Sequence, residues 1–223
     1  MTKTLWALAA LLVAASAARA TTIASSNDLL FTVGSGANLA TLIIDFQDGA
    51  STESFAWGYR WDGTASGEDM ITSIAAADPN LTIDSGSFVG SVQYFDGQFL
   101  HSATSDFGNF LSWGYYVVGG FAGDDMPFVP GGTPLPVPGG GTDLPASWTI
   151  SPSGASLVSL GDSGRILSDG SWDAWSFGSY NSTTFVHEVP PGPEAPTAAV
   201  PEPTRASLLL LALLASALRR RRP

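Results

Sequence analysis

The chain reads as an α+β domain, mainly antiparallel β-sheet with one short helix, and three observations carry that expectation. Runs of aromatic and β-branched residues are broken at strand-like intervals by Asp-Gly, Ser-Gly and Gly-Gly turn signals. Only one stretch of the exported part, residues 67–77, has helical spacing together with end signals. The order of hairpin, helix and further strands is that of a helix laid across a sheet. The chain has 223 residues, and about 180 remain once its two apolar ends are set aside, enough for one domain with a real core.

At the N-terminus, Lys3 supplies a positive n-region, Leu5 to Ala15 an apolar h-region, and Ala18-Arg19-Ala20 a small-x-small site. This predicts a secretory signal helix over residues 1–20, cut after Ala20, with Thr21 opening the mature chain. An exported β-rich domain is expected over 21–189. Ala37 to Phe46 reads as a buried strand through Leu39, Leu42, Ile43, Ile44 and Phe46, and Gln47-Asp48-Gly49 as a turn. Glu53 to Trp61 returns with Phe55, Trp57, Tyr59 and Trp61 on one face, closed by Asp62-Gly63. The helix follows, with Ser66 as N-cap, Asp69 at the capping-box position, Met70, Ile71, Ile74 and Ala77 on one face, and Asp78-Pro79 as the stop. Further strands are expected at Leu81 to Asp84, Ser87 to Phe95, Phe110 to Val118, Trp148 to Ile150, Ser156 to Leu160 and Trp172 to Tyr180. Residues 119–146 are too rich in Pro and Gly to lie inside a sheet and read as a long surface loop. Residues 190–199 read as a stiff linker lifting the domain from the membrane.

Charge and composition exclude several functions. Between residues 21 and 199, Arg60 and Arg165 stand against nineteen acids, a net of 2 − 19 = −17. Such a surface repels nucleic acid and anionic headgroups. Cysteine is absent, which removes disulfides, thiolate nucleophiles and Cys-ligated metal, so stability must come from packing. No cofactor or metal fingerprint is present. The histidines, His101 and His187, lie in no hydrolase pattern, and Gly-x-Ser-x-Gly is missing. Asp62, Glu68 and Asp69 gather at the hairpin end and helix start, where carboxylates can hold Ca²⁺ or share a proton, although acids in a first turn chiefly complement the helix dipole and cap its free N–H groups. Asp106, Asp124, Asp125 and Asp143 follow no EF-hand spacing.

The aromatics offer the other route to function. Trp57, Arg60, Trp61 and Trp113 form a candidate ligand platform for stacking on sugar rings, joined by Trp172 and Trp175. Alternating strand aromatics more often face a core, and the two readings differ in whether two or more indoles share an exposed face.

The C-terminal end carries Val200, Pro201, Glu202 and Pro203, an apolar run from Ala206 to Leu218, then Arg219, Arg220, Arg221 and Arg222. The run's thirteen residues, all apolar but Ser207 and Ser216, make about 20 Å of helix, short of the ~30 Å hydrocarbon core, which describes a marginal membrane helix. The arginines hold its end in the cytoplasm and place all that precedes Pro201 outside the inner membrane. This order of parts over 200–223 resembles the PEP-CTERM sorting signal of exopolysaccharide-making Gram-negative bacteria. The resemblance implies an exosortase that removes the anchor, with the Sec translocon and signal peptidase as earlier partners. It also implies a transient stay in the inner membrane and a final place at the cell surface or in an extracellular polysaccharide matrix.

Within the domain, the hairpin, the Glu68-Asp69-Met70 helix start and Ser112-Trp113-Gly114-Tyr115-Tyr116 resemble the β-grasp domain at the C-terminus of transcobalamin-like bacterial surface proteins. The resemblance implies corrinoid binding as a third candidate function, although Val118-Gly119-Gly120 stands where that family has an Asn-Gly turn. The blocks from Ala56 to Gly63 and from Asp169 to Trp172 are similar to those of uncharacterised PEP-CTERM proteins. The sequence thus predicts an exported, non-catalytic protein of adhesion or glycan binding, with a secreted hydrolase using Asp62 and Glu68 as the alternative.

Overall fold

The computed structural model describes residues 22–47, 54–85, 89–118, 140–150, 165–183, 187 and 196–199. The expected signal helix, the membrane helix, the strand at 156–160, the Gln47-Asp48-Gly49 turn beyond Gln47 and the loop from 119 to 139 lie outside the described residues. Among the described residues no helix is long and apolar enough to cross a membrane.

Among the described residues ten strands and one α-helix form a mostly β architecture. In chain order they are β1 (Thr32–Gly34), β2 (Asn38–Asp45), β3 (Ser54–Trp61), α1 (Gly67–Ala77), β4 (Leu81–Ser85), β5 (Val89–Phe95), β6 (Leu100–Thr104), β7 (Leu111–Val118), β8 (Thr149–Ile150), β9 (Trp172–Ser179) and β10 (Thr197–Ala198). A 3-10 turn at Ser26–Asp28 precedes them, capped by Ser25. The larger sheet has the order β1-β3-β2-β9-β7-β8 with β10 also on β3, and β4-β5-β6 make a second, smaller sheet.

The expected hairpin is present, with Leu42 opposite Trp57 and Asp45 opposite Ser54. Most of the pairing is antiparallel, β2 with β3, β7 with β8 and β9, and all of the small sheet, but the larger sheet also has parallel contacts that the sequence did not announce. β9 runs parallel to β2, and β1 and β10 both run parallel to β3. The connection through α1 and the small sheet brings the chain back so that β7 and β9 pair antiparallel with each other, and β9 then lies against the free side of β2.

Burial on both faces explains why β2 is almost continuously apolar. Ala40, Leu42, Ile44 and Phe46 join Phe55, Trp57, Trp61, Trp113, Tyr115, Val117 and Trp175 on one face, beneath Met70, Ile71 and Ile74 of α1 and Leu81, Val92 and Tyr94 of the small sheet. Ile43 faces the other way, with Ala56, Tyr116, Trp172 and Ala174, under Ile23 and Ala198 and against Leu29, Leu144 and Trp148.

α1 begins where the sequence predicts. The Ser66 hydroxyl accepts the Asp69 amide, and the Asp69 carboxylate accepts the Ser66 amide in return. Two orphan N–H groups are thereby satisfied, worth about 1 kcal/mol for the cap. At the far end the Asp78 amide donates to Ile74, while the Asp78 side chain receives the Trp57 indole N–H at 2.8 Å and the Asn80 amide at 3.0 Å. The buried carboxylate therefore stops the helix and fastens it to β3.

Residues 196–199 depart from the expected linker. Thr197 and Ala198 pair with Phe55 and Ala56, and the Ala199 amide donates to Ala56. Ala198 and Ala199 are buried. Small apolar side chains fit between the neighbours of β3, and the edge of β3 supplies the backbone partners that a free linker would lack.

Candidate functional site

The proposed tryptophan platform is not formed. Trp57, Trp61 and Trp113 are 0%, 5% and 2% exposed, Trp172 and Trp175 are buried as well, and only Arg60 of the four platform residues is exposed. Burial of Trp57 is locked by Phe55, Tyr94 and the bond to Asp78. Tyr59 stacks on Trp61 with 5.7 Å between centroids. Two covered sheet faces leave these indoles no solvent side, so alternation served packing. Arg60 points outward and donates to the Gly36 carbonyl.

The acids near the helix are engaged in local structure. Asp62 accepts the Ala37 amide at 2.9 Å, Asp69 completes the capping box, and Glu68 is exposed in the first turn. Asp106 accepts the Asn109 side chain and the Gly108 and Asn109 amides. Hydrogen bonds, first from Asn109, hold its pKa below the usual carboxylate range. Asp143 is exposed, and Asp124 and Asp125 lie outside the described residues. Among the described residues no three His, Cys, Asp or Glu side chains gather as a metal site.

His101 is buried between Phe46 and Phe55, with its Nε2 3.4 Å from Asp96. Partial burial alone would raise the Asp96 carboxyl, but the Phe99 and Gln98 amides and His101 bring it below the ordinary value. His187 gives its Nε2 to the Ser112 carbonyl at 2.7 Å, and burial pushes its pKa down. Its ring lies over Gly114, where a Cβ would come within 2.8 Å of it.

Two polar clusters lie inside the fold. Beneath the start of α1, Asp173 on β9 accepts two bonds from Arg165 Nε, at 3.0 and 3.2 Å, a further one from Arg165 Nη2, and the Tyr115 hydroxyl. Arg165 and Asp173 are both fully buried. Burial alone would lower the Arg165 pKa, yet the Asp173 charge beside it carries it above the ordinary value. Burial, then the Asp173 charge, pushes Tyr115 well above 10. On the opposite face, Ser54, Asp45 and Ser176 lie side by side across β3, β2 and β9. Ser176 donates to Asp45 at 3.1 Å, and the Gln47 amide reaches Ser176 at 2.9 Å. The Ser54 Oγ and Tyr116 hydroxyl are buried without a hydrogen-bond partner among the described residues.

The exposed rings are phenylalanines. Phe107 and Phe110 are 59% and 45% exposed at the turn joining β6 to β7, and Tyr180 meets both, with centroids at 6.4 and 5.7 Å. Asp106 and Leu111 exchange both backbone bonds across this turn. Phe110 adopts a φ of 57°, a left-handed conformation uncommon for a bulky side chain. The Asp106 bonds hold the turn, the Tyr180 amide donates to the Phe110 carbonyl, and the Tyr180 hydroxyl reaches the Phe107 carbonyl at 3.4 Å. The result is an exposed aromatic edge bordered by Asn109, Ser179 and Asn181. The expected exposed aromatics were tryptophans that the fold buries, and the sequence signal for the exposed rings is Asp-Phe-Gly-Asn-Phe, two aromatics flanking turn residues. A second apolar tip, Phe99 and Leu100, starts β6.

No family model, curated protein or solved structure matches the chain.

Proposed function

We propose that the chain is an exported surface or matrix protein, anchored briefly in the inner membrane by residues 206–218, released by an exosortase at the PEP motif, and non-catalytic. Its outward task is ligand binding, with neutral glycan as the ligand class and Phe107, Phe110 and Tyr180 as the stacking edge. The observation that carries the binding reading is the pair of exposed rings Phe107 and Phe110, backed by the half-buried Tyr180, on a turn held in an uncommon conformation, because flat apolar faces beside amide and hydroxyl groups match the alternating C–H and O–H faces of a sugar. The strong negative charge of the domain disfavours polyanions.

We read the core as a β-grasp. The hairpin β2–β3, helix α1, the pair β7–β9 and the parallel contact of β9 with β2 support that reading; it carries no activity by itself.

Intact-mass measurement of membrane and medium fractions from the producing host, with and without Glu202→Ala, tests the sorting reading. A mature species beginning at Thr21 and lacking Arg219 to Arg222, lost in the variant, is expected. A membrane-held species ending at Pro223 in both strains would sink it. For binding, retention on insoluble neutral polysaccharide should fall at least about tenfold in Phe107→Ala/Phe110→Ala, as loss of one or two stacked rings requires. Equal retention of both proteins would refute the assignment.

A further inference from the structure

The two ends of the exported domain meet. Thr22 bridges Thr197 antiparallel, and the Ile23 amide donates to the Pro196 carbonyl at 2.7 Å. The Thr197 hydroxyl donates to the Ser54 carbonyl at 3.2 Å and the Ala199 amide to the Ala56 carbonyl at 3.0 Å. Ile23 and Ala199 are fully buried. Side chains from the ends enter both cores, Ala199 on the helix face and Ile23 with Ala198 on the other.

These contacts fall at the processing points read from the sequence. Thr22 is the second residue of the predicted mature chain, and Ala199 immediately precedes Val200 of the sorting motif. Only residues 200–205 separate the last sheet hydrogen bond from the apolar run, a span of at most about 20 Å when fully extended.

Resting on the sorting reading above, we propose that Thr22–Ile23 and Pro196–Ala199 form a terminal clasp that holds the uncut protein close against the membrane and remains in the sheet after the anchor is removed. The clasp keeps cleavage out of residues 196–199, whose paired backbone must first leave β3, and leaves the sorting motif just beyond Ala199 to be cut. Cutting there breaks one amide bond, the carbonyl taking a hydroxyl from water and the nitrogen a proton, and leaves β10 as the last strand of the released domain. A stalk would let the domain roam; the clasp gives the processing enzyme a folded domain at fixed reach.

Hydrogen exchange read by mass spectrometry on the full-length chain in detergent-solubilised membranes tests the clasp. Amides in 22–24 and 197–199 should exchange at least about 100-fold more slowly than an unstructured reference. Ala199→Pro removes the donor to Ala56 and should accelerate both segments, 22–24 included, while α1 amides keep their protection and report an intact fold. Exchange of both wild-type segments at the reference rate would overturn the proposal, as would an Ala199→Pro protein whose 22–24 segment stays protected. If that variant fails to fold, the wild-type rates decide alone. Exchange does not involve the exosortase, so a protected clasp on a tail that is never removed refutes the sorting reading and leaves the clasp. A released form whose C-terminus lies before Thr197 refutes the clasp and leaves sorting.

Discussion

Asp173→Leu isolates the buried charge network beneath α1. The substitution leaves the enclosed Arg165 guanidinium without its carboxylate and removes the acceptor of the Tyr115 hydroxyl. Breaking a buried pair by deleting one partner costs about 3–5 kcal/mol, and the stranded hydroxyl adds about 1–3 kcal/mol. Against a whole-domain stability of about 5–15 kcal/mol, that is a large fraction, and for a domain of this size the first term alone lowers Tm by about 6–20 °C. Urea unfolding followed by the fluorescence of the buried indoles measures it, with the m-value checking that both variants unfold the same surface. Arg165→Met/Asp173→Leu should recover most of the loss, since an apolar pair needs no compensation. A single-variant loss below about 1 kcal/mol, or a double variant as unstable as the two singles added, would refute the view that the pair is costly mainly when broken.

Tyr116 is pushed up to about 12 by burial and the Asp45 charge, and Tyr115 well above 10. The neutral phenols therefore favour the folded state: their contribution is complete below pH ~10 and disappears as pH rises through the folded values, so unfolding free energy should fall from pH 10 upward, with late tyrosinate absorbance at 295 nm as the check. Gly67→Ala sets a Cβ 2.9 Å from Arg165 Cγ and 3.2 Å from the Tyr115 hydroxyl; overpacking should outweigh the gain in helix propensity and cost about 1–3 kcal/mol, and a stabilised variant in thermal melts would contradict the tight helix start. Tyr116→Phe removes a buried hydroxyl with no partner among the described residues, so stability should hold or rise by up to about 1–3 kcal/mol, whereas a loss above about 1 kcal/mol in the same melts would mean that a bound water, an ion or another part of the chain holds the group.

Local chemistry was legible in the sequence where it acts alone. Ser66, Asp69 and Asp78 define α1 because capping bonds span only a few residues, and the alternation of Phe55, Trp57 and Trp61 defines β3. β6 carries no strand signal in the sequence, because its inward residues, His101 and Ala103, give too little apolar alternation. β1 and β10 are two or three residues long and take their partners from β3, so nothing within them announces a strand. Residues 196–199 carry the Pro and Ala composition of a linker, and only the open edge of β3 makes them a strand. The exposed ring edge was illegible for a related reason, since Tyr180 reaches Phe107 and Phe110 across a gap of seventy residues or more in sequence.

The helix and its caps, the first hairpin, the acidic cysteine-free character of the domain, and the export and sorting expectations at its ends can all be read from the amino-acid order, because each is written in neighbouring residues. Which aromatics are buried, that β9 returns parallel to β2, that Arg165, Asp173 and Tyr115 share one enclosed site, and that Thr22 meets Thr197 emerge from the folded chain alone. Those outcomes depend on pairings between distant strands, where burial is set by what covers a face, and the covering residues can lie anywhere in the chain.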